Sequence, residues 1–330
     1  MPVAALGLVL TAAVIHAIWN LAVKRTQQKQ VFIWWGVIVG AVLFGPMIFL
    51  SPSLPARAWP YILASAFMEG LYYIALAWAY DVEDFSVVYP IARGAAPALL
   101  AVWSAIFLHE YPTALGLLGL LLIVMGLVVV GGGAIFARST SLRVKDTDGS
   151  EISVATAVLS SKGSRLPFIK TEPIQVLKRD SSVLSVARFS WKGIVAALLV
   201  AVCISIYTTI DGAAVKFAPS VPYTVMIMGL SAIFAAPVIF LRYGRRSVVS
   251  EWKTSWKTLI IVGVLMLLSY MLVLTAYSLG KVTYAGAVRE VSVVFGAVLG
   301  SRLLGEGFGV GRIIGAALIF AGILVIAVLG

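Results

Sequence analysis

The repeat that decides the fold lays EYPTALGLLGLLLIVMG (residues 110–126) over EGFGVGRIIGAALIFAG (residues 306–322) without a gap. Both stretches begin at a glutamate and continue into a long apolar run. The matched pairs are Glu110 with Glu306, Gly119 with Gly315, Ile123 with Ile319, Gly126 with Gly322 and, at the same offset, Arg93 with Arg289. Farther upstream, IWNLAVK (18–24) lies over IDGAAVK (210–216) in the same order. This common order indicates an internal duplication.

The composition of the chain predicts a membrane protein. Hydrophobic residues make up 61% of the 330 residues, charged residues make up 12%, and the mean hydropathy is +1.02. Soluble domains average about 45–50% apolar and about 25% charged residues, so this chain has too little polar surface for water. The net charge is +11, and the basic residues lie between the apolar runs. This placement favours anionic membrane lipids over nucleic acid as partners. Because Cys203 is the single cysteine, we expect no disulfide framework, Cys-based metal site or cofactor.

Ten apolar runs are long enough to cross a bilayer, which takes roughly 20 residues of helix. They lie at 4–24, 31–50, 59–80, 86–108, 113–136, 192–214, 220–241, 256–279, 282–302 and 308–329. The sequence therefore predicts an all-α membrane protein of ten transmembrane helices, built as two inverted five-helix repeats at 1–136 and 191–330. The polar and basic stretch 137–190 is predicted to be a linker, with a small regulatory or binding element as the alternative.

The number of spans in each repeat determines how the two halves are oriented. Because five is odd, the second repeat must enter the membrane opposite to the first. Such inverted repeats place a substrate site near the bilayer midplane and alternate its access by rocking about it. This architecture favours a transporter over an enzyme or a structural protein. The positive-inside rule places the basic linker in the cytoplasm and both termini outside.

Several short motifs resemble those of one known family. They are HAIWN (16–20) followed by Lys24, SVVYPIARGAAP (86–97), LHE (108–110), YTTIDG (207–212) and LLGE (303–306). The chain resembles EamA-type members of the drug/metabolite transporter superfamily over nearly its whole length outside the linker. The resemblance implies a ten-helix secondary transporter, commonly an exporter of amino acids or related metabolites, with a central cavity formed by the first four helices of each half. It also implies cytoplasmic termini, so the orientation stays open.

Ionisable side chains within the apolar runs are candidate site residues, because a charge at the bilayer centre costs about 2.5–3.5 kcal/mol on insertion scales. Glu69 lies in the middle of the third run, and Tyr72 and Tyr73 follow one turn later on the same helix face. Glu69 is thus a candidate proton carrier or a ligand for a substrate amine. The alternative is a structural ion pair or hydrogen bond with a neighbouring helix.

A second candidate group lies in the first run, where His16 and Asn20 are one turn apart and Trp19 lies beside them. An imidazole titrates near neutral pH, which suits proton coupling, although a packing histidine explains the pattern equally well. No second histidine follows at a metal-ligand spacing. We therefore expect no metal site.

Arg93 follows Tyr89 by one turn, and Pro90 between them removes a backbone hydrogen bond. This pattern favours a cavity-lining arginine aimed at a substrate carboxylate or phosphate, with a harmless terminal turn as the alternative. Its repeat mate Arg289 lies at the same depth. Glu290 adjoins Arg289 but lies about 100° around the helix, so the two need not pair. The second half lacks the Tyr-Pro pair, which predicts an asymmetric site.

The second half adds further polar candidates. Tyr207 and Asp211 are one turn apart near the end of the sixth run, where Asp211 either coordinates a substrate or cation or caps the helix junction. Tyr270 and Tyr277 are the repeat mates of two tyrosines in the third run. At the span ends, we expect Glu110 and Glu306 to cap their own following helices. Lys24 and Lys216 are expected to snorkel to lipid headgroups.

The sequence thus predicts a secondary active transporter, and not an enzyme, that moves a small polar metabolite by alternating access in a cell membrane, specifically the bacterial inner membrane. Amino acids are the first candidate substrates, export is the expected direction, and transport is expected to be either proton-coupled or driven by another gradient. A passive channel or facilitator is the alternative, and a membrane-embedded enzyme is a weaker one, since the ionisable groups are scattered. The predicted substrate-binding residues are His16, Trp19, Asn20, Glu69, Tyr72, Tyr73, Tyr89, Arg93, Tyr207, Asp211, Tyr270, Tyr277, Arg289 and Glu290.

Overall fold

Helices account for almost all of the computed structural model, which describes residues 1–82, 85–139, 143–145, 151–153, 191–296, 298 and 310–329. In the first half they are α1 (Val3–Arg25), α2 (Lys29–Phe44), α3 (Trp59–Val82), α4 (Phe85–Phe107) and α5 (Ala114–Ser139). A one-turn helix, Met47–Leu50, and a 3-10 turn, Ala56–Ala58, connect α2 to α3. In the second half they are α6 (Trp191–Ala214), α7 (Ser220–Leu279), α8 (Val282–Arg289) and α9 (Val310–Leu329).

The predicted linker contributes one small hairpin to the described part of the chain. Strands β1 (Arg143–Lys145) and β2 (Glu151–Ser153) pair antiparallel, with Val144 opposite Ile152. Helices on either side of it are apolar, and many large side chains such as Phe49, Leu241 and Phe320 are exposed on the outer surface, as contact with lipid tails requires. The prediction of an all-α membrane protein is confirmed at this level.

Three helices in the described ranges are long and apolar enough to cross a membrane by length and composition. They are Val3–Val23, Trp191–Ala214 and the 60-residue helix Ser220–Leu279. Shorter apolar helices are Lys29–Phe44, Ile91–Phe107, Ala114–Val129 and Ile313–Leu329. The run predicted at 31–50 ends early, because Gly45 and Pro46 follow Phe44 and a proline cannot donate the next helical hydrogen bond.

Two predicted runs, 220–241 and 256–279, belong to the single long element α7. The element is broken at Gly244, whose φ of 74° and ψ of 155° are not helical. We call the segments before and after this glycine α7a (220–243) and α7b (245–279). The run predicted at 282–302 is interrupted too, since α8 ends at Arg289 and a turn at Glu290 and Val291 precedes the next helical residues.

Replacing Gly244 by alanine is expected to destabilise the protein by about 1–3 kcal/mol. Its φ and ψ lie in a region that is essentially restricted to glycine, so a side chain there is strained even though no atom lies within 4 Å of the added Cβ. The thermal unfolding temperature of the purified protein in detergent measures the loss. Gly7→Ala is the matched control, because its added Cβ also meets nothing within 4 Å and its φ is ordinary. Equal unfolding temperatures for the two variants would contradict the prediction.

The two halves pack closely through glycines on paired helices. Helix α5 lies against α9, where the backbone oxygen of Gly315 leaves no room for a Cβ at Gly126. In the same way α2 lies against α7b, with Gly40 beside the backbone of Gly263. Small residues at such contacts let the backbones of two helices approach closely. This matters in lipid, where the hydrophobic effect does not drive helices together. The other helices, α1, α3, α4, α6, α7 and α8, contact one another in a closed ring. The polar residues of the candidate site lie on these helices.

Candidate functional site

Arg93 and Glu290 form an ion pair that joins the two halves. Nη1 of Arg93, on α4, donates to both carboxylate oxygens of Glu290, at 3.0 and 3.1 Å. The side chains are 15% and 1% exposed, so the pair is largely withdrawn from solvent. A buried pair of this kind offsets the cost of desolvating each charge only through such close geometry.

The expectation that Arg289 and Glu290 need not pair is wrong. Nη2 of Arg289 lies 3.7 Å from Oε1 of Glu290. The backbone of Glu290 is still right-handed helical, with φ −68° and ψ −8°, so the separation of about 100° around the helix remains and the reach of the two long side chains brings them together. The carboxylate of Glu290 lies between Arg289 and Arg93.

His16 extends this cluster into α1. Its Nε2 lies 3.1 Å from Nη2 of Arg93. A guanidinium has no acceptor, so Nε2 accepts the hydrogen bond and the imidazole is neutral in this arrangement. The ring of Trp19 packs edge-on against His16, with centroids 4.6 Å apart. Asn20 donates instead to the backbone oxygen of His16 at 2.8 Å, so this amide hydrogen bond lies within its own helix.

A second polar group surrounds Asp211, which is fully buried on α6. The hydroxyl of Tyr223 donates to Oδ1 at 2.9 Å, and the hydroxyl of Tyr270 donates to Oδ2 at 2.5 Å. Glu69 on α3 is 6% exposed, and its carboxyl group lies near Tyr270 and Ser231. Glu69 from the first half and Asp211 from the second thus both lie beside Tyr270.

Several aromatic rings lie near the Arg93–Glu290 pair and the group around Asp211. The rings of Tyr72 and Tyr73 have centroids 5.4 Å apart, and those of Tyr72 and Tyr207 are 6.3 Å apart. Tyr277 is fully buried near Arg289. The side chain of Tyr89 lies outside the described part of the chain. The structure therefore brings the other predicted residues toward one interior region, divided between an Arg93–Glu290 side and a Glu69–Asp211 side.

Sequence reasoning missed Tyr223, Ser231 and Ser65, which all adjoin the acidic side chains. Their residue types gave little signal, because a serine in an apolar run satisfies its own helix as often as a neighbour's polar group. Tyr223 gave the clearer signal, because it is a phenol within a predicted span. It was missed because it lies near the start of that span, where a tyrosine is typical of the membrane interface.

Several buried donors on the Arg93–Glu290 side have no hydrogen-bond partner among the residues that the structure describes. They are Nε1 of Trp19, Nε of Arg289 and the hydroxyl of Tyr277. A cavity of about 10 Å³ borders Arg289, Glu290 and Thr208, which leaves room for about one water molecule. A larger cavity of about 380 Å³ lies at the rim, lined by residues that include Glu110, Lys216 and Lys281.

Two predictions at the rim are wrong. Glu110 caps α8 rather than its own following helix, since it accepts from the backbone nitrogen of Thr283 at 3.3 Å. The start of α5 is capped by Thr113, whose hydroxyl accepts from the backbone nitrogen of Gly116 at 2.9 Å. Lys216 donates to the backbone oxygens of Tyr277 and Gly280 at 2.8 and 2.6 Å instead of snorkelling freely. Glu306 and the side chain of Lys24 lie outside the described residues.

The comparison with known families covers both halves of the chain. The sequence matches the EamA-like transporter family over residues 3–132 and 191–328, which is most of the chain and both halves. The chain belongs to this family. The predicted EamA-type resemblance within the drug/metabolite transporter superfamily is therefore confirmed, and the EamA-like chain is an integral membrane protein. No curated protein matches the sequence.

Among the solved structures that match, one crystal structure illustrates the fold of this EamA-like protein. It superposes with a TM-score of 0.68 at 16% sequence identity, over 98% of this chain and 97% of the other. At that identity the likeness supports the fold alone. Within the described ranges, no three His, Cys, Asp or Glu side chains converge as metal ligands would.

Proposed function

We propose that this EamA-like protein is a secondary active transporter that exports a small polar metabolite across the bacterial inner membrane by alternating access. The observation that carries the proposal is the ion pair of Arg93 with Glu290, which is buried where the two halves meet. Polar and ionisable groups at membrane depth mark substrate or ion pathways. A chain with only a structural role has no need of them.

Ten spans in two inverted repeats form part of this proposal. The contact of Gly126 with Gly315 and Ile319 is repeated by Gly322 with Gly119 and Ile123. In the sequence repeat, Gly126 corresponds to Gly322, and the partners exchange in the same way. Helices related by a two-fold axis in the membrane plane make such exchanged contacts, which supports the inverted arrangement.

The substrate class follows from the unsatisfied donors. Nε1 of Trp19 and Nε of Arg289 are buried without a partner in the described part of the chain, and each lies close to His16 or Glu290. A substrate carboxylate that accepted from either donor would remove the cost of leaving it unpaired. The rings of Tyr72 and Tyr207, whose centroids are 6.3 Å apart, are of a type that can bind an ammonium group. An amino acid combines both groups.

Thermal unfolding in detergent with amino acids, sugars, nucleosides and phosphorylated metabolites tests the substrate class. Binding to the folded state at 100 times Kd stabilises it by about 2.7 kcal/mol, so a substrate raises the unfolding temperature. Trp19→Phe removes the indole donor and keeps a ring, so we expect its affinity for the substrate to fall about tenfold, from one lost hydrogen bond. Trp191→Phe is the control, because Trp191 is 73% exposed. Equal affinity in all three proteins would place the substrate elsewhere.

A passive facilitator is the alternative function, and it makes a different prediction. Accumulation of the identified substrate in proteoliposomes against its own gradient, abolished by collapse of an imposed pH gradient, supports coupled transport. Flux that only equilibrates the substrate supports the facilitator. The narrow cavity of about 10 Å³ beside Arg289 favours a carrier, since a metabolite needs helix movement to enter.

A further inference from the structure

The two buried carboxyl groups, Glu69 and Asp211, lie beside the same phenol. Tyr270 donates to Oδ2 of Asp211 at 2.5 Å and lies near the carboxyl group of Glu69. The side chains come from different halves, with 6% and 0% of the residue surface exposed. Two carboxyl groups that share a buried site cannot both ionise without a large electrostatic cost.

Among the residues that the structure describes, the surroundings of this carboxyl pair are polar but neutral apart from one arginine. The groups that face the two carboxyls from the packed helices are Tyr73, Tyr207, Tyr223, Tyr270, Tyr277 and Arg289. Phenols are neutral at neutral pH, so they solvate a carboxylate without balancing its charge. Ser65 lies one turn before Glu69, and its fully buried hydroxyl faces Asp211 with no hydrogen-bond partner among the described residues.

The charges that the described residues place in this interior region support one bound proton. Arg93 and Arg289 supply two positive charges, whereas Glu290, Glu69 and Asp211 supply three negative charges if all are ionised. His16 adds none, because its Nε2 accepts from Arg93. One negative charge is therefore in excess. In a medium of low dielectric constant, a single proton on one carboxyl group removes that excess.

We propose that Glu69 and Asp211 form the proton-binding site of this transporter and hold one proton in common, passed between them through Tyr270. In the transfer the carboxyl proton of Glu69 moves to the Tyr270 oxygen while the phenolic proton moves to Asp211, so no charge or atom is lost. This inference rests on the proposed transport function. It separates the proton site from the carboxylate-binding donors near His16.

Infrared spectroscopy of the purified protein tests the shared proton without any substrate. The wild type at neutral pH is expected to show the C=O stretch of a buried protonated carboxyl group, which shifts in D₂O and disappears as the pH is raised. Because the proton balances one excess charge, removing either carboxylate makes it unnecessary. The band is therefore expected to be lost in Glu69→Gln and equally in Asp211→Asn.

The matched controls are Glu110→Gln and Glu251→Gln, whose carboxyl groups lie at the rims and bond Thr283 and Thr26. Both controls are expected to keep the band. Its absence from the wild type, or its survival in either Glu69→Gln or Asp211→Asn, overturns the shared proton. If those variants do not fold, Tyr270→Phe is the test instead. The band is then expected to keep its intensity but change its frequency. An unchanged frequency overturns the relay through Tyr270. A failed ligand screen beside a positive infrared result would refute the proposed substrate class alone.

Discussion

Replacing Arg93 by alanine is expected to lower the stability of the protein by about 3–5 kcal/mol. The substitution leaves the carboxylate of Glu290, which is 1% exposed, without the guanidinium that donates to both of its oxygens. Removing one partner of a buried pair strands the other charge, which accounts for the size of the effect. The remaining contact of Glu290 with Arg289, at 3.7 Å, is longer and replaces little of it.

Thermal and denaturant unfolding in detergent measure this loss, with Arg246→Ala as the control because Arg246 is an exposed arginine of α7b. The double variant Arg93→Ala with Glu290→Gln removes both charges and is expected to be more stable than the sum of the single losses predicts. A coupling of at least ~1 kcal/mol is expected for groups in direct contact. If Arg93→Ala unfolds at the same temperature as Arg246→Ala, the pair contributes nothing to folding.

Replacing Gly126 by valine is expected to cause the second large loss of stability. An added Cβ would lie 2.6 Å from the backbone oxygen of Gly315 and 2.7 Å from Cγ1 of Ile319. The backbone cannot move aside as a flexible side chain does, so α5 and α9 must separate. Overpacking of this kind costs typically about 1–3 kcal/mol and occasionally more.

The same substitution at Gly322 tests the symmetry of the fold. Its added Cβ would lie 2.6 Å from the backbone oxygen of Gly119 and 2.7 Å from Cγ1 of Ile123, so the predicted loss is the same. Gly7→Val is the control, since nothing lies within 4 Å of its added Cβ. Unfolding temperatures that fall together for Gly126→Val and Gly322→Val support the inverted repeat. A drop in one variant alone would contradict it.

Composition and hydropathy were sufficient to identify a helical membrane protein, and short motifs were sufficient to identify the EamA-like family. These signals are local, because each span must satisfy its backbone within one segment. Sequence reasoning failed where a helix is interrupted. The breaks after Phe44 and Arg289 and the merged element around Gly244 depend on one or two residues inside otherwise uniform apolar runs.

The candidate site was predicted as a set of residues but not as a set of contacts. Burial in an apolar run was enough to select Glu69, Arg93, Asp211 and Arg289, since an ionisable group there needs a partner or a function. Their partners were not predictable. Glu290 pairs with Arg93 across 197 positions of sequence, and Tyr270 donates to Asp211 across 59.

The sequence by itself determined the membrane class, and it predicted a duplication and the depth of the polar residues, because hydropathy and repeat spacing are properties of single segments. Only the tertiary structure decided that Glu290 lies between two arginines, that Glu110 caps α8, and that Tyr270 lies beside both acidic groups. Such pairings depend on how helices from opposite halves cross and where each one ends. Those crossings are set by close glycine contacts, and no periodicity within one helix encodes the partner on another.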